Sequence, residues 1–456
     1  MRALRALGVD KPVAYVFLAR LTSMVGSVGT VLLIARFMGP AEQGYYYTLL
    51  SLVSLQMVFE LGFSFVIQQL AAHECARLEL FPDGSVTGDA EAHARLASAL
   101  RLSLRWYTMA AAAMAAVLAP LGIVFFDRHA PGQVHVAWFG PWVAAVLASA
   151  AGLWCVPLYS FLEGCGHVRA VAAMRLRQSA VTAGCSWTLL LLHHGLYAPA
   201  MVIVGQITTG LWYVAGHRRL LRGLMHHGAD SACVDWKREV WPFQWRIAVS
   251  WMCSYFTVQV FIPILFALRG AVEAGQMGMS LSITGYMAGL VLPWISTKAT
   301  PFGRMIANGQ CQSMDRLFLR ALRQALTAFS FIALGVCAGA ALLPFAAPRL
   351  AARMVAPQLF VLLVAAAGAN CVVQCLAVML RSFKREPFLG QSLITASLTV
   401  SLAALTAPRW GSAGAAFSYL AATAGFALPS ALAIFFRARR GYLGVARFVP
   451  CRSEGK

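Results

Sequence analysis

"TVLLIARFMGPAEQGYYYTLLS" occupies residues 30–51. An apolar run stops at Gly39-Pro40, passes one acid, Glu42, and a second glycine, Gly44, and turns apolar again. Two apolar runs joined by such a turn read as a helical hairpin whose tip lies outside the hydrocarbon. The pattern returns. "FIPILFALRGAVEAGQMGMSLS" (261–282) aligns with it without a gap at an offset of 231. Gly39 then falls on Gly270, Glu42 on Glu273, Gly44 on Gly275 and Ser51 on Ser282. Duplicated halves are a common construction of membrane transporters. The glycine after the first run suits a tight, left-handed helix end. Pro40 cannot continue the preceding helix, and the glutamate is placed to cap the next one. A looser third echo, "RWGSAGAAFSYL" (409–420), leads into the last apolar run.

Composition says the same. Of 456 residues, 59% are hydrophobic and 12% charged, against about 25% charged in soluble domains. The apolar residues come in blocks near the roughly 20 residues that cross a bilayer, not in the short alternating segments of a membrane barrel. Twelve candidate spans follow: 12–37, 44–70, 99–126, 135–160, 171–192, 197–216, 244–268, 276–297, 321–345, 356–380, 388–407 and 411–436. The expected fold is all-α and polytopic, with about twelve transmembrane helices in two pseudo-symmetric six-helix bundles. The halves are 1–220 and 244–456, the second with a basic tail, joined by a cytoplasmic linker at 221–243. The segment 71–98 reads as a mixed-charge loop that runs into an amphipathic helix. Proline within spans, as at Pro157, Pro263 and Pro293, suits kinked membrane helices.

With a cytoplasmic N-terminus, 30 of the 37 Lys and Arg fall on cytoplasmic segments, six fall on the other side and Arg20 lies inside a span. This positive-inside bias sets both termini in the cytoplasm and accounts for the net charge of +20 as contact with anionic lipid headgroups. It leaves no footprint for nucleic acid. The first span has a basic front and no convincing cleavage site, so it reads as retained. The eleven cysteines form no CxxC and no zinc spacing. The pairs His193-His194 and His226-His227 lack a carboxylate or thiol shell, so no metal is expected. No phosphate-binding loop of the GxxxxGK[ST] type is present. Energy for any cycle then comes from an ion gradient, from substrate flux or from a partner that removes product, and no cofactor is implied.

Charges inside spans are costly and usually functional. Arg20 and Glu60 lie at similar depths in spans one and two. Three readings of them stand: an ion pair that locks the two helices, contact of Arg20 with an anionic substrate while Glu60 holds it or exchanges a proton, or snorkelling of Arg20 to the interface. Gln56 precedes Glu60 by four residues and shares its helix face. Arg246 and Lys298, near the cytoplasmic ends of spans seven and eight, either draw an anionic headgroup inward or anchor the helices. Gln259 and Asn370 line a cavity or tie helices together.

The stretches 35–72, with Glu60-Leu61-Gly62, 269–280 and 410–420 together resemble the Wzx-type polysaccharide transporters of the multidrug/oligosaccharidyl-lipid/polysaccharide exporter superfamily. The resemblance covers almost the whole chain. In that family the acid before Leu-Gly is more usually Asp, and Arg269 directly before Gly270 departs from the pattern. The resemblance implies a bacterial inner-membrane flippase, not an enzyme, that moves a polyprenyl-pyrophosphate-linked oligosaccharide by alternating access for surface polysaccharide synthesis. Coupling to H+ or Na+ stays open, as do a polysaccharide polymerase and glycosyltransferases as partners. Two alternatives remain: a cation-coupled multidrug or metabolite antiporter of the same superfamily, and a membrane-embedded glycosyltransferase or ligase. Short extracytoplasmic loops count against the last.

Overall fold

The computed structural model describes residues 11–75, 77–80, 86–129, 136–226, 241–383 and 386–448. Among them, seven helices are long and apolar enough to cross a membrane, or eight if a bent pair counts as one span. The chain is a helical, multi-pass membrane protein. Its contacts divide it into two compact units, Met1–Met252 and Cys253–Lys456. Residues 227–240 of the expected linker lie outside the described residues.

In the first unit the order is α1 (Lys11–Phe37), α2 (Pro40–Val53), α3 (Gln56–Glu60), α4 (Phe63–Cys75), β1 (Leu78–Leu80), β2 (Val86–Gly88), α5 (Ala90–His129), α6 (Phe139–Gly164), α7 (Val168–Leu191), α8 (Ala198–Gly216) and α9 (Arg218–His226). Lipid supplies no hydrophobic drive between helices, so close packing at small residues does the work. Trp187 on α7 lies over Gly29 of α1, where a Cβ would meet the indole, and its Nε1 donates to Thr30 Oγ1 at 3.1 Å. Trp142 on α6 is fully buried, fills the notch at Gly122 of α5 and donates to the Ala119 carbonyl at 3.0 Å.

The segment expected to be a loop carries a small antiparallel hairpin, with Leu78 opposite Gly88, Glu79 opposite Thr87 and Leu80 opposite Val86. Three residues per strand fall below the four or more over which alternation is readable. Helix α5 then starts at Ala90, well before the apolar run. Helix α9 buries Leu220, Leu221 and Leu224 and exposes Arg218, Arg219 and Arg222, the helical alternation that "RRLLRGL" encodes.

The second unit takes up the chain within α10 (Trp241–Val258). It continues with α11 (Phe261–Arg269), α12 (Ala271–Val291), α13 (Pro293–Ser296), α14 (Ala299–Ala307), α15 (Cys311–Ala346), α16 (Pro348–Ala351), α17 (Pro357–Arg381), α18 (Leu389–Leu420), a π-helical turn at Ala421–Ala427 and α19 (Leu428–Phe448). Helices α10 and α11 meet at a 40° bend. Helix α18 is not one rod. Gly411 has φ 53° and ψ −131°, and Thr406 Oγ1 lies 2.9 Å from Ser418 Oγ. Twelve residues of straight helix would separate those groups by about 18 Å, so the chain doubles back at Gly411, between the two runs expected at 388–407 and 411–436. Near the ends of α15 and α19 a buried acid is held by two side chains. Arg439 donates to both Asp315 oxygens, at 2.9 and 2.6 Å, and Tyr442 donates at 3.1 Å.

The two copies of the repeated turn differ. In the first, the Gly39 N–H donates to Glu42 Oε2 at 2.7 Å, so Glu42 caps α2 as expected. Gly39 itself is extended, φ −67° and ψ 159°. The left-handed end expected there does not form, because a residue before proline is pushed into the extended region. Gly270, which no proline follows, has φ 93°. Its glutamate turns elsewhere. Glu273 accepts from the Ser412 N–H at 3.1 Å and Ser412 Oγ at 3.3 Å, and pairs with Arg269 at 3.3 Å. The third echo is therefore docked on the second. The first unit repeats the arrangement with other chemistry: the turn at Gly195 packs on Met38 and His193 stacks edge-on against Phe37 at 5.8 Å.

Candidate functional site

The stretch expected as the second span is broken twice. Helix α2 ends at Val53, the five-residue α3 ends at Glu60, and α4 begins at Phe63. Between α3 and α4, Leu61 has φ 53° and Gly62 φ 63°. Glycine adopts this region freely, whereas leucine does so at a cost. Strained backbone of this kind clusters at functional sites. The last helical residue before it is Glu60, the one acid in the apolar stretch 44–70. Glu60 Oε1 accepts from Ser64 Oγ at 2.5 Å, a pairing that bridges the break. The hydroxyl of Tyr107 on α5 adjoins both groups. Tyr107 is buried and stacks on Phe63 at 5.9 Å, so the first residue of α4 sets its position. Among the described residues, no cation lies within ion-pair distance of the Glu60 carboxylate.

The break has a counterpart at the repeat's offset of 231. Glu60 falls on Val291, Leu61 on Leu292 and Gly62 on Pro293. Helix α12 ends at Val291 and α13 starts at Pro293. The first copy breaks with a positive-φ pair, whereas the second breaks where Pro293 removes a backbone donor. Only the first copy carries a carboxylate there.

The other expected residues are placed as follows. Gln56 and Glu60 open and close α3, four residues apart and both half-buried. Gln259 sits in the bend between α10 and α11, and Lys298 in the short gap between α13 and α14. Asn370, in α17, adjoins Tyr419 after the turn of α18. Arg20 belongs to α1 and Arg246 to α10, and the side chains of both lie outside the described residues. Gln56 and Glu60 are thus together in the first unit, while Asn370 and Lys298 occupy separate places in the second. Ser64 and Tyr107 were missed from sequence. Ser64 had a readable signal, four residues after the acid; Tyr107 comes from a distant helix and had none.

No protein-family model matches the chain, and no curated protein matches it in sequence. Solved structures do match over nearly its whole length. The crystal structure of a eukaryotic MATE transporter aligns with TM-score 0.61 at 12% identity, covering 97% of this chain and 99% of that one. The lipid II flippase MurJ, in an inward closed conformation, aligns with TM-score 0.59 at 11% identity, covering 98% and 93%. A Vibrio cholerae MATE transporter aligns with TM-score 0.56 at 13% identity, covering 95% and 97%. The chain has the MATE–MurJ fold. At 11–13% identity the MATE–MurJ likeness is one of backbone. The chemistry of this chain rests on its own residues, first among them the acid at the break.

Proposed function

We propose that the protein is an alternating-access secondary transporter and not an enzyme, with twelve spans in two six-span halves and both termini in the cytoplasm. The MATE–MurJ fold supports transport, the turn at Gly411 supports two spans in 389–448, and the distribution of Lys and Arg supports the orientation. One observation carries the mechanism: a single carboxylate at a strained break within an apolar span. An acid at mid-span costs about 3 kcal/mol on insertion, an expense that packing alone does not require. In our reading Glu60 exchanges a proton or cation during the cycle. Ser64 donates to the ionised form, Tyr107 adjoins it, and the break lets α3 and α4 reorient as the charge changes.

Most of the matched structures are MATE transporters, which favours an antiporter that exchanges a small organic solute for H+ or Na+. A second reading, the flipping of polyprenyl-pyrophosphate oligosaccharide, is favoured by the Glu60-Leu61-Gly62 stretch, by the likeness to MurJ and by the cationic surface. Its partners would be the glycosyltransferases that build the cargo and the polymerase that consumes it.

Reconstitution separates the two. Proteoliposomes with an internal pH dye should show proton movement when an amphiphilic cation is added, and Glu60→Gln should abolish it at unchanged protein level. Proton-independent flipping of a lipid-linked oligosaccharide, with no response to cations, would establish the second reading. Full activity of Glu60→Gln in both assays would sink the role of Glu60.

A further inference from the structure

Where α4 ends and α6 ends, two thiols face each other. Cys75 is the last residue of α4 and Cys165 directly follows α6. Their sulfurs lie 2.9 Å apart across 90 residues of sequence. Cys75 is half-buried and Cys165 is buried. Both are held in place. The helices approach so closely that a Cβ on Gly164 would sit 2.6 Å from the Gln68 carbonyl oxygen and 2.7 Å from Ala71 Cβ. Beside Cys75, the buried Glu74 accepts from Arg95 of α5 at 3.0 Å. A disulfide is about 2.05 Å long, so bond formation needs less than about 1 Å of travel.

We propose that Cys75 and Cys165 form a redox-active dithiol which a hydroperoxide converts to a disulfide, clamping the end of α4 to α6. Cys75, the more accessible, attacks the peroxide oxygen as its thiolate. The O–O bond breaks, and with one proton the products are a sulfenic acid and water (an alcohol from an organic peroxide). The Cys165 sulfur then attacks the Cys75 sulfur. The S–O bond breaks, an S–S bond forms and a second water leaves with the Cys165 proton. Two thiols are oxidised by two electrons and one peroxide is reduced. Thiol exchange reverses the bond. In the orientation proposed above the pair lies at the cytoplasmic side, where disulfides are typically transient and redox-sensing. Helix α4 starts at the break beside Glu60, so the clamp fixes the far end of the element that the break would release. The bond itself requires no knowledge of the cargo, so its test stands or fails apart from the transport reading.

The test uses the full chain in membrane vesicles exposed to hydrogen peroxide, alkylated with a maleimide and digested without reductant. The expected result is a linked peptide pair containing Cys75 and Cys165, two fewer alkylated thiols per chain and their return after dithiothreitol. Hydrogen exchange over residues 63–75 should slow in the oxidised form. Cys75→Ser should remove the linked pair. Cys165→Ala should leave Cys75 as a sulfenic acid that dimedone traps, a readout that holds even where Cys75→Ser misfolds. Both thiols remaining alkylatable, Cys75 oxidised without linkage in the wild type, or the linkage mapping to the same-helix pair Cys371 and Cys375 would each overturn the proposal.

Discussion

Glu42 and Glu273 occupy the same place in the repeated motif and do different jobs. Glu42 satisfies the N–H at the start of its own helix. Glu273 reaches across to the backbone of Ser412. Truncating them should therefore fail differently. Glu42→Ala should cost about 1 kcal/mol, as loss of a helix cap does, read as a modest drop in Tm of the detergent-solubilised protein. Glu273→Ala should also loosen the 409–412 turn, read as faster hydrogen exchange at Ser412. Gly411→Ala should be worse than either. It places a side chain at φ 53° against Glu273 and Arg269, and the strained conformation alone costs of order 1–3 kcal/mol. Asp315→Ala should lower Tm by the equivalent of about 2 kcal/mol, the scale of a hydrogen bond to a charged group, because it leaves Arg439 and Tyr442 without their shared acceptor. None of these four changes touches the candidate site.

At the level of elements, apolar length anticipated the seven described helices long enough to cross a membrane, or eight with the bent pair, and the breaks within such stretches only in part. The hydrocarbon demands backbone hydrogen bonds inside each segment, which makes any 20-residue apolar block a helix whatever its neighbours. Thus the blocks at 139–164, 357–381 and 311–346 are helices, and the reversal at Gly411 separates the last two runs. The β1–β2 hairpin and the bend at Gln259 left too short a local trace. Pro293, expected to kink a span, interrupts the helical ladder between α12 and α13 within one apolar stretch, Ala271–Ile306. The matching breaks after Glu60 and Val291 yield an expectation at this scale. Pro293→Ala should let α12 run on through residue 293, so that exchange at residues 292–294 slows. Gly62→Ala should instead destabilise the protein, because a side chain is strained at φ 63°. Equal slowing of exchange in both variants would mean that the two breaks are one kind of device after all.

Over the whole molecule, sequence alone determined that this is a multi-pass helical membrane protein with a repeated hairpin, since composition and block length leave the backbone no other way to satisfy itself in lipid. It also marked Glu60 as an acid out of place. The expected pairing of Glu60 with Arg20 was an argument from depth alone. Depth cannot say which way a side chain turns; the acid accepts from Ser64, with the Tyr107 hydroxyl beside it. Tertiary structure alone decided what lies against what: Tyr107 brought to the acid by its stack on Phe63, Ser412 brought to Glu273, and Cys75 brought to Cys165 across 90 residues. The physical reason is common to all three. Spans and turns follow from local hydropathy and backbone chemistry, whereas such meetings depend on which helix faces pack, and in lipid those faces are chosen by small residues and aromatic knobs whose partners are distant in the chain.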